Sequence, residues 1–183
     1  MRHEGRDHTQ TKTMDNSANS TLLSFNALST ASAKVLVLGS MPGVASLQAQ
    51  QYYAHPRNSF WPIMASIAGF DALAPYDERV AALTSAGFAV WDVLRSCVRP
   101  GSLDSAIATG TRVPNDFQSF FDAHPGVGLV CFNGSEAQQS YNRLVLPGLR
   151  APNMQYTRLP STSPAHPVAL AHKLAAWRAA LAE

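Results

Sequence analysis

The amino-acid sequence predicts an α/β protein, a three-layer α/β/α sandwich around a central four-stranded parallel sheet. Three observations point there. Short apolar runs alternate along the chain with segments of helical periodicity, as in a parallel sheet covered on both faces. Each run gives way to a loop rich in Gly, Pro, Ser or Asn, as strands do where they leave a sheet. The last segment carries Leu170, Leu174, Trp177 and Leu181 at spacings of 4, 3 and 4, the stripe of a helix that packs on a core.

The elements follow in order. Residues 1–30 are polar, rich in Ser, Thr, Asn and His and without sustained periodicity, and are expected to form a disordered tail. Residues 31–183 are expected to form one domain. Val35-Leu36-Val37-Leu38, ending at Gly39, reads as a buried strand, and Ser40-Met41-Pro42-Gly43 as the loop that leaves it. From Ser59 to Ala68, Phe60, Ile63, Met64 and Ile67 share a helical face, with Pro62 in the first turn and Gly69 as the stop. A further helix is expected over 77–86, its Asp77 and Glu78 suiting the positive end of the helix dipole. Phe88 to Leu94 is the second strand, and a short helix over 115–123 precedes the third, Val127 to Phe132. Gly134 to Leu144 reads as helix, Met154 to Leu159 as the fourth strand, and Pro167 to Ala182 as the last helix.

Composition limits the function more than it names it. The 183 residues are 46% hydrophobic and 14% charged, enough apolar content for a sizeable core. No apolar run approaches the ~18 residues of a bilayer span, and the first residues lack a secretory signal, so a cytoplasmic monomer away from membranes is expected. Cys97 and Cys131 are the only cysteines and form no CxxC pair. His55, His124, His166 and His172 lack zinc-ligand spacing, so neither a metal nor another cofactor is expected. Net charge is +2, from 14 basic and 12 acidic side chains. That neither demands nor excludes nucleic acid, since clamping a few phosphates takes only a local basic face.

In open parallel sheets ligands bind outside the carboxyl ends of the strands. Four segments should meet there: GSMPG, the stretch after Trp91-Asp92, Asn133-Gly134, and Ser161-Thr162-Ser163-Pro164-Ala165-His166. The edge has no GxGxxG, no GxxxxGK[ST], no GxSxG and no HExxH, which leaves nucleotide cradles, a serine elbow and zinc proteolysis without support. It offers instead small backbone-donating loops, amides, hydroxyls and flat rings. Those groups suit a flat polar base and the phosphates beside it.

The segments GSMPG, QYYAHPRNSFW, FAVWDVL with GSLD, CFNGSEA and LPSTSPAH, in that order, resemble the uracil-DNA glycosylase superfamily, and within it the hypoxanthine-DNA glycosylases most. The resemblance runs from about Lys34 to the C-terminus. It implies that the chain flips a deaminated base (hypoxanthine, uracil or xanthine) out of DNA and hydrolyses its glycosidic bond. Gly39, Ser40, Met41, Pro42 and Gly43 match the first motif. There many members carry an Asp or Asn that handles the attacking water, and here Met41 stands in its place. In the hypoxanthine family an Asn of the HPRN segment takes that role, which falls on Asn58. The resemblance further implies that Tyr53 stacks on the flipped base, that Asp92 reads it, and that Asn133 is needed for activity. His55 is a further binding candidate of that segment. Ser161, Thr162, Ser163 and His166 belong to a second motif that pinches phosphates. Leu159 stands at about the place where that motif often has His or Asn.

Plainer roles exist for most of these residues. Asn58 is placed to cap the helix behind it, Asn133 to make an Asn-Gly turn, Asp92 to accept buried backbone N–H bonds, and the two histidines to bond loop backbone. Phe60 and Trp61 are expected in the core, with one of Tyr52 and Tyr53 packing and the other stacking. Arg57, Arg95, Arg99 and Arg158 are phosphate candidates, each expected to be solvated. No Lys lies in the motif segments, so a Schiff-base step is not expected and the glycosylase reads as monofunctional. A non-catalytic binder of damaged or single-stranded DNA is the alternative, motivated by Met41.

Overall fold

The computed structural model describes residues 20–150 and 154–181. Its centre is the expected parallel sheet, with strands β2 (Val35–Gly39), β3 (Phe88–Asp92), β6 (Leu129–Asn133) and β7 (Gln155–Leu159) in the order β3-β2-β6-β7. Pairing is parallel throughout, from Gly39 opposite Asp92 to Asn133 opposite Leu159. The middle strands alternate their side chains between two cores, as a pleat with period 2 requires. Leu36, Leu38, Val130 and Phe132 face α4 (Phe117–Ala123) and α5 (Ser135–Leu144), where Phe117, Phe121 and Tyr141 pack. Val37, Val90 and Cys131 face α2 (Phe60–Ala68), α3 (Tyr76–Ser85) and α6 (Leu170–Leu181), where Phe60, Ile63, Met64, Leu83 and Trp177 pack. Three layers result.

Helix α2 stops where Gly69 takes φ 77° and closes a bond to the Ala65 carbonyl, as the sequence predicts. Helix α6 begins at Leu170 rather than at Pro167, after a turn in which Val168 N–H bonds to the His166 carbonyl.

Three findings depart from expectation. The run from Phe88 to Leu94 is two strands, not one. At Gly39 the neighbouring β2 ends, so Val93 and Leu94 send their N–H groups to the carbonyls of Gly39 and Ser40. The chain then enters a second, antiparallel sheet as β4 (Leu94–Val98), between β1 (Thr21–Leu23) and β5 (Val113–Pro114).

The tail is the second departure. Order is present from residue 20, and the segment does structural work. Strand β1 pairs with β4, Leu28 exchanges both backbone bonds with Val90, and Phe25 packs against Tyr52. This covers the open edge of β3, which would otherwise present unpaired N–H and C=O groups. Residues 1–19 of the expected tail lie outside the described residues.

Third, residues 44–49, where the sequence predicts no helix or strand, form a short helix, α1 (Val44–Ala49). It stands directly after the first motif.

Candidate active site

An open cavity lies at the carboxyl ends of β2, β3 and β6. Most of the expected residues line it: Gly39, Ser40, Met41, Pro42, Gly43, Tyr53, His55, Asn58, Asp92, Asn133, Thr162 and Ser163. Chain segments far apart in sequence meet there because all leave the same edge of the sheet. Two expected residues do not line it. Ser161 turns its hydroxyl to the Ser163 N–H (3.2 Å) and packs against Gly134, while His166 is exposed in the turn that follows.

The floor is built by Gly39, Asp92, Tyr53 and Asn133. A Cβ on Gly39 would lie 2.4 Å from Asp92 Oδ1 and 3.2 Å from the Tyr53 hydroxyl, so those two polar groups converge over a residue that can have no side chain. Asp92 is 3% exposed, and its Oδ2 accepts a bond from Ser24 Oγ at 2.8 Å. Burial pushes its carboxyl up to about 7, opposed by the Ser24 bond and the Arg99 charge and reinforced by the Asp104 charge. Near neutral pH it is therefore poised between donor and acceptor.

Tyr53 holds φ 55°, a left-handed conformation uncommon outside glycine. Its ring stacks on Phe60, with centroids 4.0 Å apart and planes inclined by 21°. Its hydroxyl is buried without a hydrogen-bond partner among the described residues, and burial raises its pKa. Of the two tyrosines, Tyr52 is the more deeply packed. Tyr52 is 3% exposed and donates toward the carbonyls of Phe25 and Asn26, and its own carbonyl accepts from Trp61 Nε1 at 3.0 Å. Phe60 and Trp61 are buried core residues. Together these contacts hold the Tyr53 backbone in its strained turn.

At the rim, Asn58 Oδ1 accepts the Phe60 N–H at 2.9 Å, where the chain enters α2. This is the Asx turn of a residue one before the N-cap, Ser59, rather than the N-cap bond foreseen for Asn58. It occupies one lone pair of the carbonyl oxygen and leaves the amide N–H₂ and the second lone pair without a partner among the described residues. His55 Nδ1 accepts from the Arg57 N–H at 3.1 Å. Asn133 is held at both ends by one residue: its Nδ2 donates to Thr162 Oγ1 at 2.9 Å and its Oδ1 accepts the Thr162 N–H at 2.8 Å. The end of β6 is thereby locked to the second motif. Thr162 is fully buried, and its carbonyl takes the Ser59 N–H, which joins that motif to the Asn58 segment.

The first motif is fastened by residues that sequence reasoning missed. Arg99, expected to be solvated, is 4% exposed and donates to the carbonyls of Met41, Pro42 and Gly101. Asp104 Oδ1 accepts the Ser40 hydroxyl at 2.7 Å, with Arg99 Nη1 3.5 Å away. Ser102 Oγ accepts the Val44 N–H, and Ser46 Oγ accepts the Ala54 N–H. Ser46, Ser102 and Asp104 line the cavity. The only hint in sequence is that Ser102 and Asp104 follow a Pro-Gly turn within GSLD. The Met41 thioether packs into the core beneath its loop. Among the described residues no cluster of His, Cys, Asp and Glu could hold a metal ion, and no helix is long and apolar enough to cross a membrane.

Comparison with known proteins gives one consistent family. Residues 25–181 match the uracil DNA glycosylase superfamily. The chain is 32% identical to a protein of Methanosarcina acetivorans named hypoxanthine DNA glycosylase, over 73% of this chain and 89% of that one. It is 34% identical to a protein of the same name from Methanosarcina barkeri, over 79% and 87% of the two chains. A solution NMR structure of a Methanosarcina acetivorans protein, provisionally named uracil DNA glycosylase, superposes with a TM-score of 0.74. It covers 87% of this chain and 96% of its own at 30% identity.

Proposed function

Because the chain belongs to the uracil DNA glycosylase superfamily, we propose that it is a monofunctional DNA glycosylase that removes hypoxanthine, and by the same chemistry uracil or xanthine, from DNA. One observation carries the reading. Asn58, Tyr53, Asp92 and Asn133, drawn from three separate segments, line a single cavity whose floor is polar and whose side wall is aromatic. The two relatives named hypoxanthine DNA glycosylase support the choice of base.

The roles follow from position. The flipped base enters the cavity along the Tyr53 ring, toward Asp92. Hypoxanthine and uracil each present a ring N–H beside a carbonyl, and an ionised Asp92 accepts from the former. Asn133, held rigid by Thr162, shapes the floor beside it. Asn58 orients water at the rim through the lone pair that Phe60 leaves open. The Ser163 hydroxyl, which accepts the Ala165 N–H and keeps its own hydrogen to donate, is offered to phosphate. No base with a strongly shifted pKa is needed for this, since cleavage of the glycosidic bond is driven by positioning and by charge stabilisation.

The test is a duplex oligonucleotide carrying hypoxanthine, uracil or xanthine at one position, incubated with pure protein and then treated with alkali. Strand breaks at the modified base are expected for hypoxanthine, and an Asn58→Ala variant should lose about 100-fold or more in rate while it still binds the duplex. Breaks with none of the three bases, together with retained binding, would establish the binding protein without catalysis instead.

A further inference from the structure

A second carboxylate faces the cavity, and the roles above do not use it. Asp104 lies in the loop after β4, lines the same cavity as Asn58 and Asp92, and has 38% of its side chain exposed. Its Oδ1 takes both neighbouring donors, the Ser40 hydroxyl at 2.7 Å and Arg99 at 3.5 Å. Oδ2 carries no hydrogen bond to the described residues. The carboxyl is thus oriented by one oxygen and leaves the other uncommitted.

We propose that Asp104 is a substrate-facing carboxylate whose negative charge stabilises the cationic sugar formed as the glycosidic bond breaks. The inference rests on the glycosylase reading. Depth in the cavity separates the two acids. Asp92 lies at the floor, 3% exposed, where a base would reach. Asp104 is the more open of the two and sits beside the first motif, bonded to its Ser40, nearer the mouth, where the sugar of a base seated on the floor would lie. In the reaction the C1′–N bond breaks with its electron pair leaving on the base. The oxygen of one water bonds to C1′, and the proton that this water loses balances the charge on the base. Positive charge builds on C1′ and O4′ between those events, and a fixed anion near the sugar lowers that barrier. Met41 in the first motif carries no charge and its side chain is turned into the core, so it cannot supply one. The Arg99 guanidinium, 3.5 Å from Oδ1, favours the ionised carboxyl against the burial that disfavours it, and Oδ2 is left without a bond among the described residues.

Asp104→Asn separates charge from structure. Its amide oxygen still accepts from Ser40 and Arg99, while the negative charge is gone. Single-turnover excision of hypoxanthine is expected to slow by about 10–100-fold, with duplex affinity, read by fluorescence anisotropy, within about 2-fold and the melting temperature no lower than that of the wild type. Asp104→Ala should lose at least as much rate and also melt lower, because the Ser40 and Arg99 bonds go with it. Excision by Asp104→Asn at the wild-type rate overturns the proposal and leaves the glycosylase reading standing. So does a loss matched by a fall in melting temperature, which would mark a purely structural acid. A wild-type protein that excises nothing overturns both.

Discussion

At the residue scale, Asp92 links stability to chemistry. A carboxyl at 3% exposure is disfavoured as an anion, and burial lifts it to about 7 against an ordinary value near 3.8. Below pH ~4 the group is protonated both folded and unfolded and makes no difference to stability. Between about 4 and 7 the native state holds a proton that the unfolded chain has released, so stability falls as pH rises. Above 7 the loss is complete, at roughly 4 kcal/mol. Asp104 is shifted in the same direction, also by burial first. Asp92→Asn keeps an oxygen for the Ser24 hydroxyl but has no charge to bury. Its gain in stability over the wild type should therefore be larger at pH 8 than at pH 5, in urea melts at both values. An equal difference at the two pH values would mean that Asp92 is not a buried anion. The same substitution should impair excision, as expected where a destabilising group is kept for function.

At the scale of elements, the short strand β1 and the segment behind it matter more than their length suggests. Ser24 follows β1, bonds through its backbone to the Arg95 carbonyl, and sends its hydroxyl to Asp92. The Phe25 carbonyl takes the indole N–H of Trp91 at 3.1 Å, and Leu28 closes the edge of β3. Ser24→Ala is expected to cost ~1–3 kcal/mol, the range for a buried hydrogen bond to a charged group. Removal of residues 1–28 should cost clearly more and reduce excision as well, checked by urea midpoints and by the hypoxanthine assay. An unchanged midpoint after truncation would mean that the segment only rests on the surface. This is also where the sequence was least legible. The four parallel strands and helices α2 to α6 announce themselves by apolar runs or stripes. A three-residue strand such as Thr21–Leu23 has too few positions to show a period. The break at Val93 depends on where the neighbouring β2 ends, which no local pattern records. The site divides likewise. Gly39 to Gly43, Tyr53, Asn58, Asp92 and Asn133 stand in segments whose residue types suit the chemistry. Asp104, Ser46 and Arg99 gain their places only from the path of loops in space, and Ser161 and His166 miss the cavity, Ser161 because its hydroxyl turns to the Ser163 N–H and His166 because it stands exposed beyond Pro164.

At the scale of the molecule, the question is how a chain of net charge +2 holds a polyanion. Several of its cations are already committed. Arg99 is buried against the first motif, Arg112 pairs with Glu136 at 3.2 Å, and Lys173 is 2% exposed with its ammonium on the Ser163 carbonyl. Arg57, next to Asn58 at the rim, is exposed, as are Arg95 and Arg158 farther along the chain. Contacts to the DNA backbone should therefore be few and carried in large part by neutral donors, among them backbone N–H groups of the first motif and the Ser163 hydroxyl. Neutral donors release few condensed counterions on binding, and the salt dependence of affinity counts the cations that do. For two or three such contacts the slope of log K against log salt is about −2 to −3. Anisotropy titrations of the duplex between ~50 and ~200 mM salt should give that shallow slope, and Arg57→Ala should reduce its size by about 1. A slope near −6 or steeper would place a broad basic face on the DNA and would contradict a grip centred on the cavity rim. With so little long-range attraction, discrimination between a damaged and a normal duplex has to come from what enters the cavity, and that returns the weight of binding to Tyr53 and the polar floor beneath it.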